Sequence, residues 1–419
     1  MNWELKKAGW RAIEVVFAGA MYVWGWVFPD PVILDGPDSV KKLPEVIKEK
    51  GFKKVLVVTD KGLMGLNLLA GLFEELDKVG VQYVVYDETE PNPTIQNIED
   101  AKELYLANGC EAIVAFGGGS PMDCAKTTAA RIARPGRPVQ KMVGVFMVIL
   151  PCLKPHGNNG LLPPPLFAVP TTAGTGSETT IAAVVTNPET HDKYAIMDPF
   201  IRARYAVLDP KLTVGLPQKI TSTTGLDALT HAIEGYTNIM YNNKKFNDYG
   251  VKAVKLIFKY LERAYNDGTD IEARGQLLLA SYYAGLCFTR GGVGFVHGIG
   301  HRLGGLYHIP HGLAMSVILP HVFSDDFLAP YVYDKLADLA DAVGITGATN
   351  EAKAKAFIAE IQAMEDRMNI PHGFDCIKDE DVPIIAERCI AEICPTYPVK
   401  HFFTKEEIEH FIRTHLMLK

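Results

Sequence analysis

From Lys53 onward, short apolar runs alternate with helix-like segments, and this alternation limits the fold more than any other feature of the chain. Val55-Leu56-Val57-Val58 ends at Thr59-Asp60, a segment with Leu72, Phe73 and Leu76 at helical spacing follows, and Tyr83-Val84-Val85-Tyr86 is the next extended run. Residues 101–108 read as another helix, and Ala112-Ile113-Val114-Ala115-Phe116 as a third strand running into Gly117-Gly118-Gly119-Ser120. Short β-branched strands joined by helices imply a mostly parallel, doubly covered sheet whose ligands sit beyond the carboxyl ends of the strands.

After Leu216-Pro217 the pattern turns helical, with candidate helices at 221–237, 246–265, 271–288, 293–307, 332–343, 351–368, 379–390 and 405–417. The expected organisation is an apolar extension over 1–30, an α/β domain with a mostly parallel sheet over 31–214, and an all-helical domain over 215–419. A Pro-rich stretch, 134–167, breaks the βα rhythm and reads as a long excursion. Val15 to Phe28 is uncharged and resembles a weak signal peptide, but Glu14 borders it and it falls short of the roughly 20 residues a membrane span needs. An apolar arm packed on the body of the protein or on a second subunit is the better expectation.

The net charge of -7 and the lack of any Lys/Arg-rich stripe argue against a nucleic-acid partner. The seven cysteines are odd in number and form no C-x-x-C pair, which fits a reducing cytoplasm and argues against a structural zinc.

Three features carry chemistry. Gly117 to Asp123 lies where a strand hands over to a helix; its glycines let backbone approach a pyrophosphate, Pro121 suits the first helical position, and Asp123 could cap the first turn. The full G-x-G-x-x-G fingerprint is not met, since residue 122 is Met, so a plain tight turn stays open. The loop from Pro170 to Glu178 is dense in hydroxyls and small residues, suited either to lining a polar ligand or to bonding its own backbone. Asp60 at a strand end could accept from a ribose diol and disfavour the extra phosphate of NADP, or simply cap a helix.

Beyond these three stands a metal set. Asp227 and His231 are four apart, hence on one face of a helix, and five of the twelve histidines fall within residues 297–321: His297, His301, His308, His311 and His321. A carboxylate and neutral imidazoles suit zinc, iron, cobalt or nickel alike, so ligand type names no metal.

These motifs resemble the iron-containing (group III) alcohol dehydrogenases over roughly residues 31–419: Gly117-Gly-Gly-Ser-Pro-Met-Asp123, Pro170-Thr-Thr-Ala-Gly-Thr-Gly-Ser-Glu178, Thr224-Gly-Leu-Asp-Ala-Leu-Thr-His-Ala-Ile-Glu-Gly-Tyr236, His297-Gly-Ile-Gly-His301 and Pro310-His311-Gly312. The resemblance implies a small-molecule alcohol or aldehyde as partner, NAD as cofactor, and Fe(2+), or zinc in its place, held by Asp227, His231, His297 and His311. It implies a Rossmann-like dinucleotide-binding domain over 31–214 followed by a helical metal-binding domain over 215–419, with the active site in the cleft between them and His301 near the nicotinamide, helping to relay the proton. NAD contacts are implied at Asp60, Asn92, Gly118, Gly119, Ser120, Asp123, Thr171, Thr172, Thr175, Thr180, Lys193 and Leu216, and Phe288 and Cys394 fall at substrate-pocket positions. Arg290, close to the pocket-forming segment, could orient an acidic substrate group, but the expectation is that it faces solvent. A glycerol or polyol dehydrogenase, or another member of the dehydroquinate synthase-like superfold, is the neighbouring reading, and a silent assembly subunit the distant one. A homodimer or higher homo-oligomer is the default assembly.

Overall fold

The computed structural model describes residues 3–27, 29–145, 162–188, 193–239 and 243–418. Two compact units divide the chain: Phe28–Gly215 with Thr269–Leu278, and Met1–Val27 with Leu216–Gly268 and Leu279–Lys419.

The first unit is built on a six-stranded sheet of β1 (Val32–Asp35), β2 (Lys54–Val58), β3 (Gln82–Tyr86), β4 (Ala112–Gly117), β6 (Leu166–Pro170) and β9 (Tyr205–Leu208), in the order β1-β9-β6-β4-β2-β3. Every pairing in it is parallel. Residues of β4 and β6 are buried throughout, matching their unbroken apolar runs, because helices cover both faces of a parallel sheet. One core, with Val55, Val57, Val114 and Phe116, lies on one side; another, with Leu56, Val58, Ile113 and Ala115, lies on the other. β5 (Gly144–Val145), β7 (Ala182–Thr186) and β8 (Lys193–Met197) form a small second sheet that sequence pattern did not announce, in which β7 and β8 run antiparallel. Within the excursion, residues 146–161 lie outside the described residues.

The helices of this unit are α2 (Leu43–Glu49), α3 (Lys61–Gly65), α4 (Ala70–Val79), α5 (Ile95–Ala107) and α6 (Gly119–Ala133). α5 starts six residues ahead of the expected 101 because Thr94 and Asn97 form a reciprocal capping box, a signal that apolar periodicity does not register.

The second unit holds α1 (Trp3–Val27), α7 (Gln218–Thr237), α8 (Lys244–Asn266), most of α9 (Ile271–Gly291), α10 (Phe295–Tyr307), α11 (His311–Val322), α12 (Tyr333–Ala342), α13 (Asn350–Arg367), α14 (Val382–Ile393) and α15 (Lys405–Phe411). Two of these were not expected as helices. α11 is apolar nearly all round and carries Pro320 inside it, so it shows no amphipathic period. α1 replaces the expected arm, and it does pack on the body of the protein. Trp3, Lys7, Trp10, Arg11 and Glu14 form one helical stripe turned away from solvent. Trp10 meets Phe402 edge to face at 5.3 Å, the Arg11 guanidinium lies 4.2 Å over the same ring, and Arg11 Nη2 donates to the Lys400 carbonyl at 3.1 Å. No described helix is long and apolar enough to cross a membrane.

Candidate metal centre and nucleotide loops

In the helical unit, α7, α10 and α11 bring four groups together. Asp227 and His231 leave one face of α7, His297 stands in the first turn of α10, and His311 opens α11. One ligand atom from each lies within 4.8 Å of all the others. Asp227 Oδ1 is 3.5 Å from His311 Nε2, 3.9 Å from His231 Nδ1 and 4.0 Å from His297 Nε2. Four ligands around a divalent ion at the usual bond lengths stand roughly 3.4 Å apart. The set is slightly wider than that on these edges, close enough to fit an ion after small adjustments. Asp227 is 2 % exposed and its Oδ1 accepts no hydrogen bond, which is costly for a buried carboxylate unless a cation meets it. Burial, with the Glu234 charge adding, pushes the Asp227 carboxyl up to about 8. A cation at Oδ1 would reverse that shift.

Glycine makes the close approach possible. A Cβ on Gly312 would stand 2.7 Å from the Thr223 carbonyl oxygen, so α11 reaches α7 there only because residue 312 has no side chain. Two further histidines of the dense segment do different work: His308 ends α10 in a left-handed conformation, and His321 bonds the His372 carbonyl.

A layer behind the ligands fixes them. Glu234 Oε2 lies 2.6 Å from His297 Nδ1, and Val296 N–H donates to Glu234 Oε1 at 2.7 Å. Burial raises Glu234 to about 7 against the pull of those backbone donors. Phe288 stacks on the His231 ring at 4.0 Å. Glu234 escaped the sequence reading although it continues the Asp227, His231 stripe by three residues, a spacing that could have revealed it. His301, next to the ligands, has its ring 5.4 Å from that of His311, and its Nδ1 lies 2.6 Å from Glu392 Oε1. Glu392 lies 91 residues from His301, beyond any local pattern. Cys394 follows α14 half-buried; burial pushes its thiol up to about 12, with the Glu14 carboxylate adding. Arg290 differs from expectation: it is 6 % exposed and lies 4.8 Å over the Phe246 ring, because a guanidinium can be buried against an aromatic face.

In the sheet unit the strand register assembles the nucleotide loops. Gly117 of β4 pairs with Pro170 of β6, and Thr171 N–H donates to the Gly117 carbonyl at 3.1 Å. The two loops therefore leave the sheet side by side. Gly117 has φ +149, and a Cβ there would meet Pro121 at 2.6 Å. Gly118 caps α6 with no side-chain bond, leaving the first amides of a 15-residue helix for an anion. Thr172 and Thr175 stand against Gly118 and Gly119, and Asn92 N–H donates to Ser120 Oγ at 3.2 Å.

Two local expectations are corrected. The helix begins at Gly119, so Pro121 is its third residue. Asp123 does not cap the first turn: its Oδ2 accepts from Val184 N–H at 3.1 Å and its Oδ1 from Ser177 Oγ at 3.4 Å, because β7 offers an unpaired amide. Asp60 Oδ1 accepts from Leu63 N–H at 2.9 Å, so it caps α3, which leaves its second oxygen for another partner. Lys126, also missed, is 1 % exposed and donates to Ser177 Oγ, Thr180 Oγ1 and the Ala182 carbonyl at 2.9, 2.7 and 2.9 Å. Burial pulls its ammonium down to about 8. Lys193 opens β8, but its side chain lies outside the described residues; Leu216 belongs to the helical unit.

Comparison with known proteins agrees with this geometry. The iron-containing alcohol dehydrogenase family matches residues 30–210, and the C-terminal part of the Fe-containing alcohol dehydrogenase family matches 221–416. Alcohol dehydrogenase 4 of Saccharomyces cerevisiae is 35% identical over 394 residues, covering 93% of this chain and 98% of the relative. An NAD-dependent methanol dehydrogenase of Bacillus methanolicus is 32% identical, covering 93% and 99%. The crystal structure of a 1,3-propanediol oxidoreductase superposes with a TM-score of 0.85 at 33% identity, covering 92% of this chain and 98% of that one. The chain belongs to the iron-containing alcohol dehydrogenase family, and it is an NAD- and metal-dependent oxidoreductase that interconverts alcohols with their aldehydes or ketones.

Proposed function

We propose that the protein acts on short primary alcohols and diols at a divalent metal held by Asp227, His231, His297 and His311. One observation carries the reading: these four side chains, from three helices, converge within 4.8 Å around a buried Asp227 oxygen that accepts no hydrogen bond. When bound, the metal supplies Lewis acidity toward the substrate hydroxyl, and NAD supplies the hydride acceptor. His311, with 43% of its side chain exposed, marks the side from which substrate enters. His301, 30% exposed, takes the hydroxyl proton, by way of the cofactor ribose, and passes it to solvent. Phe288 and Cys394 line the pocket on this reading.

The amides opening α6 bind the pyrophosphate, with Asn92 and Ser120 beside them. Thr171, Thr172, Thr175 and Thr180 line the cofactor, with Lys193 and Leu216 as further contacts, and Asp123 holds the second loop against the first. The free oxygen of Asp60 takes the ribose diol. In domain terms, 31–214 binds NAD, 215–419 holds the metal, and 1–30 is an addition. The free state of Cys110, Cys124, Cys287, Cys376, Cys389 and Cys394 supports a reducing cytoplasm, and a homodimer is the expected assembly.

The test is NADH formation by metal-stripped protein given Fe(II) anaerobically or Zn(II), against short primary alcohols, diols and glycerol. Turnover restored by one metal on alcohols or diols supports the reading; turnover on glycerol alone replaces it with a polyol dehydrogenase. His311→Ala should lose turnover and bound metal together, and activity with metal retained would overturn the ligand assignment.

A further inference from the structure

The site's proton-handling side rests on residues far apart in sequence. His301, in α10, faces Glu392 in the last turn of α14, with Nδ1 and Oε1 2.6 Å apart. The Tyr397 hydroxyl donates to the same Oε1 at 2.6 Å, and Arg302 Nη2 donates to the other oxygen, Oε2. Glu392 thus has both oxygens engaged by three donors. Against the burial that opposes ionisation, the charges and hydrogen bonds of His301 and Arg302 and the Tyr397 hydroxyl hold its carboxyl at about 2.

We propose that Glu392 is the positioning residue of the proton relay, fixing His301 in the tautomer that carries its hydrogen on Nδ1 and leaves Nε2 free to accept. This inference rests on the reading of His301 as the relay. The physical argument is short. The imidazolium beside Glu392 carries hydrogen on both ring nitrogens; when it gives one up, the ionised carboxylate has none to offer, so the 2.6 Å contact keeps the remaining hydrogen on Nδ1. The lone pair then lies on Nε2, across the ring from Glu392. When Nε2 takes the proton released from the substrate hydroxyl, the ring becomes an imidazolium whose charge Glu392 balances, and the proton leaves from Nε2 to solvent. Tyr397 and Arg302 do not touch the reacting groups; they stop Glu392 from rotating away. His297 and Glu234 repeat the arrangement one turn earlier on α10, also through Nδ1. One helix therefore presents two imidazoles with Nδ1 bound to a carboxylate and Nε2 turned away from it, that of His297 lying 3.0 Å from His231 Nε2 within the metal set and that of His301 serving the proton.

A double-mutant cycle tests this on the metal-loaded enzyme. Glu392→Gln should lower kcat by about 10- to 100-fold with bound metal and the KM for NAD unchanged. In a His301→Ala background the same substitution should cause no further loss. Tyr397→Phe keeps the ring and removes one donor, so it should lower kcat a few-fold only while His301 is present. Independently of activity, 15N NMR of histidine-labelled, zinc-loaded protein, with the His301 signal assigned by its absence in His301→Ala, should show the Nδ1-protonated tautomer in wild type and a mixture in Glu392→Gln. Equal losses in both backgrounds, or an unchanged tautomer in Glu392→Gln, would overturn the positioning role while leaving the relay standing. Full activity in His301→Ala would sink the relay, and this inference with it.

Discussion

Glu234 and His297 meet at 2.6 Å in a fully buried contact, carboxylate oxygen to Nδ1, so the ring nitrogen turned toward Asp227 is the one without a hydrogen. Carboxylates in this position orient a histidine ligand and raise its basicity. Glu234→Gln should therefore weaken metal retention by about 10- to 100-fold, read by chelator competition, while secondary structure is preserved. Unaltered retention would show that His297 needs no such partner.

Asp60→Gly should relax the preference for NAD over NADP, because it removes the charge that repels a ribose 2′-phosphate. The ratio of kcat/KM values for the two cofactors measures it, and an unchanged ratio rejects the role. The same substitution removes the side-chain cap of α3, so a slight loss in Tm, from about 0.3 kcal/mol, should accompany the shift.

Lys126→Met should weaken NAD binding without touching the metal. Ser177, Thr180 and the Ala182 carbonyl would each lose the ammonium that bonds them, leaving only the longer bonds of Ser177 Oγ to Asp123 and of Thr180 Oγ1 to the Ser177 and Ala182 carbonyls to shape the loop. Titration calorimetry with NAD should report the loss, and unchanged affinity would mean that the loop holds its shape unaided.

Glu365 gives a stability signature with a defined sign. Its side chain is 3 % exposed, Oε1 accepts no hydrogen bond, and burial, with Asp366 adding, raises the carboxyl well above 4.5. Between 4.5 and the raised value the folded protein holds a proton that the unfolded chain has released, so stability falls as pH rises through that window. The slope is at most about 1.4 kcal/mol per pH unit. Glu365→Gln removes it, so the variant's Tm advantage over wild type should be larger at pH 8 than at pH 5. An advantage independent of pH would count against the assignment.

How far the sequence spoke depended on whether a feature was local. The parallel sheet was legible because β2, β4 and β6 are unbroken apolar runs flanked by helical spacing, and the Asp227, His231 pair was legible because four residues make one turn. α11 was not, since an all-apolar helix with an internal proline carries no period. β7 and β8 were missed because their antiparallel pairing joins residues 182–186 to 193–197, which no local period registers. The Asp123 bond to Val184, the Glu392 bond to His301 and the Lys126 bonds to the second loop span 51 to 91 residues, and only the fold brings such partners together.

The contact of α1 with Phe402 and Lys400 also bears on how the chain tolerates damage. The helix lies ahead of residue 30, where the family match begins, yet it is fastened to a segment within the last twenty residues of the chain. Within the helical unit, α1 and the segment at Lys400 and Phe402 thus hold each other in place. Proteolysis that removes the first fifteen residues would strip Phe402 of Trp10 and Arg11, and a break near 400 would release α1 in turn, so that clipping at one terminus renders the other vulnerable.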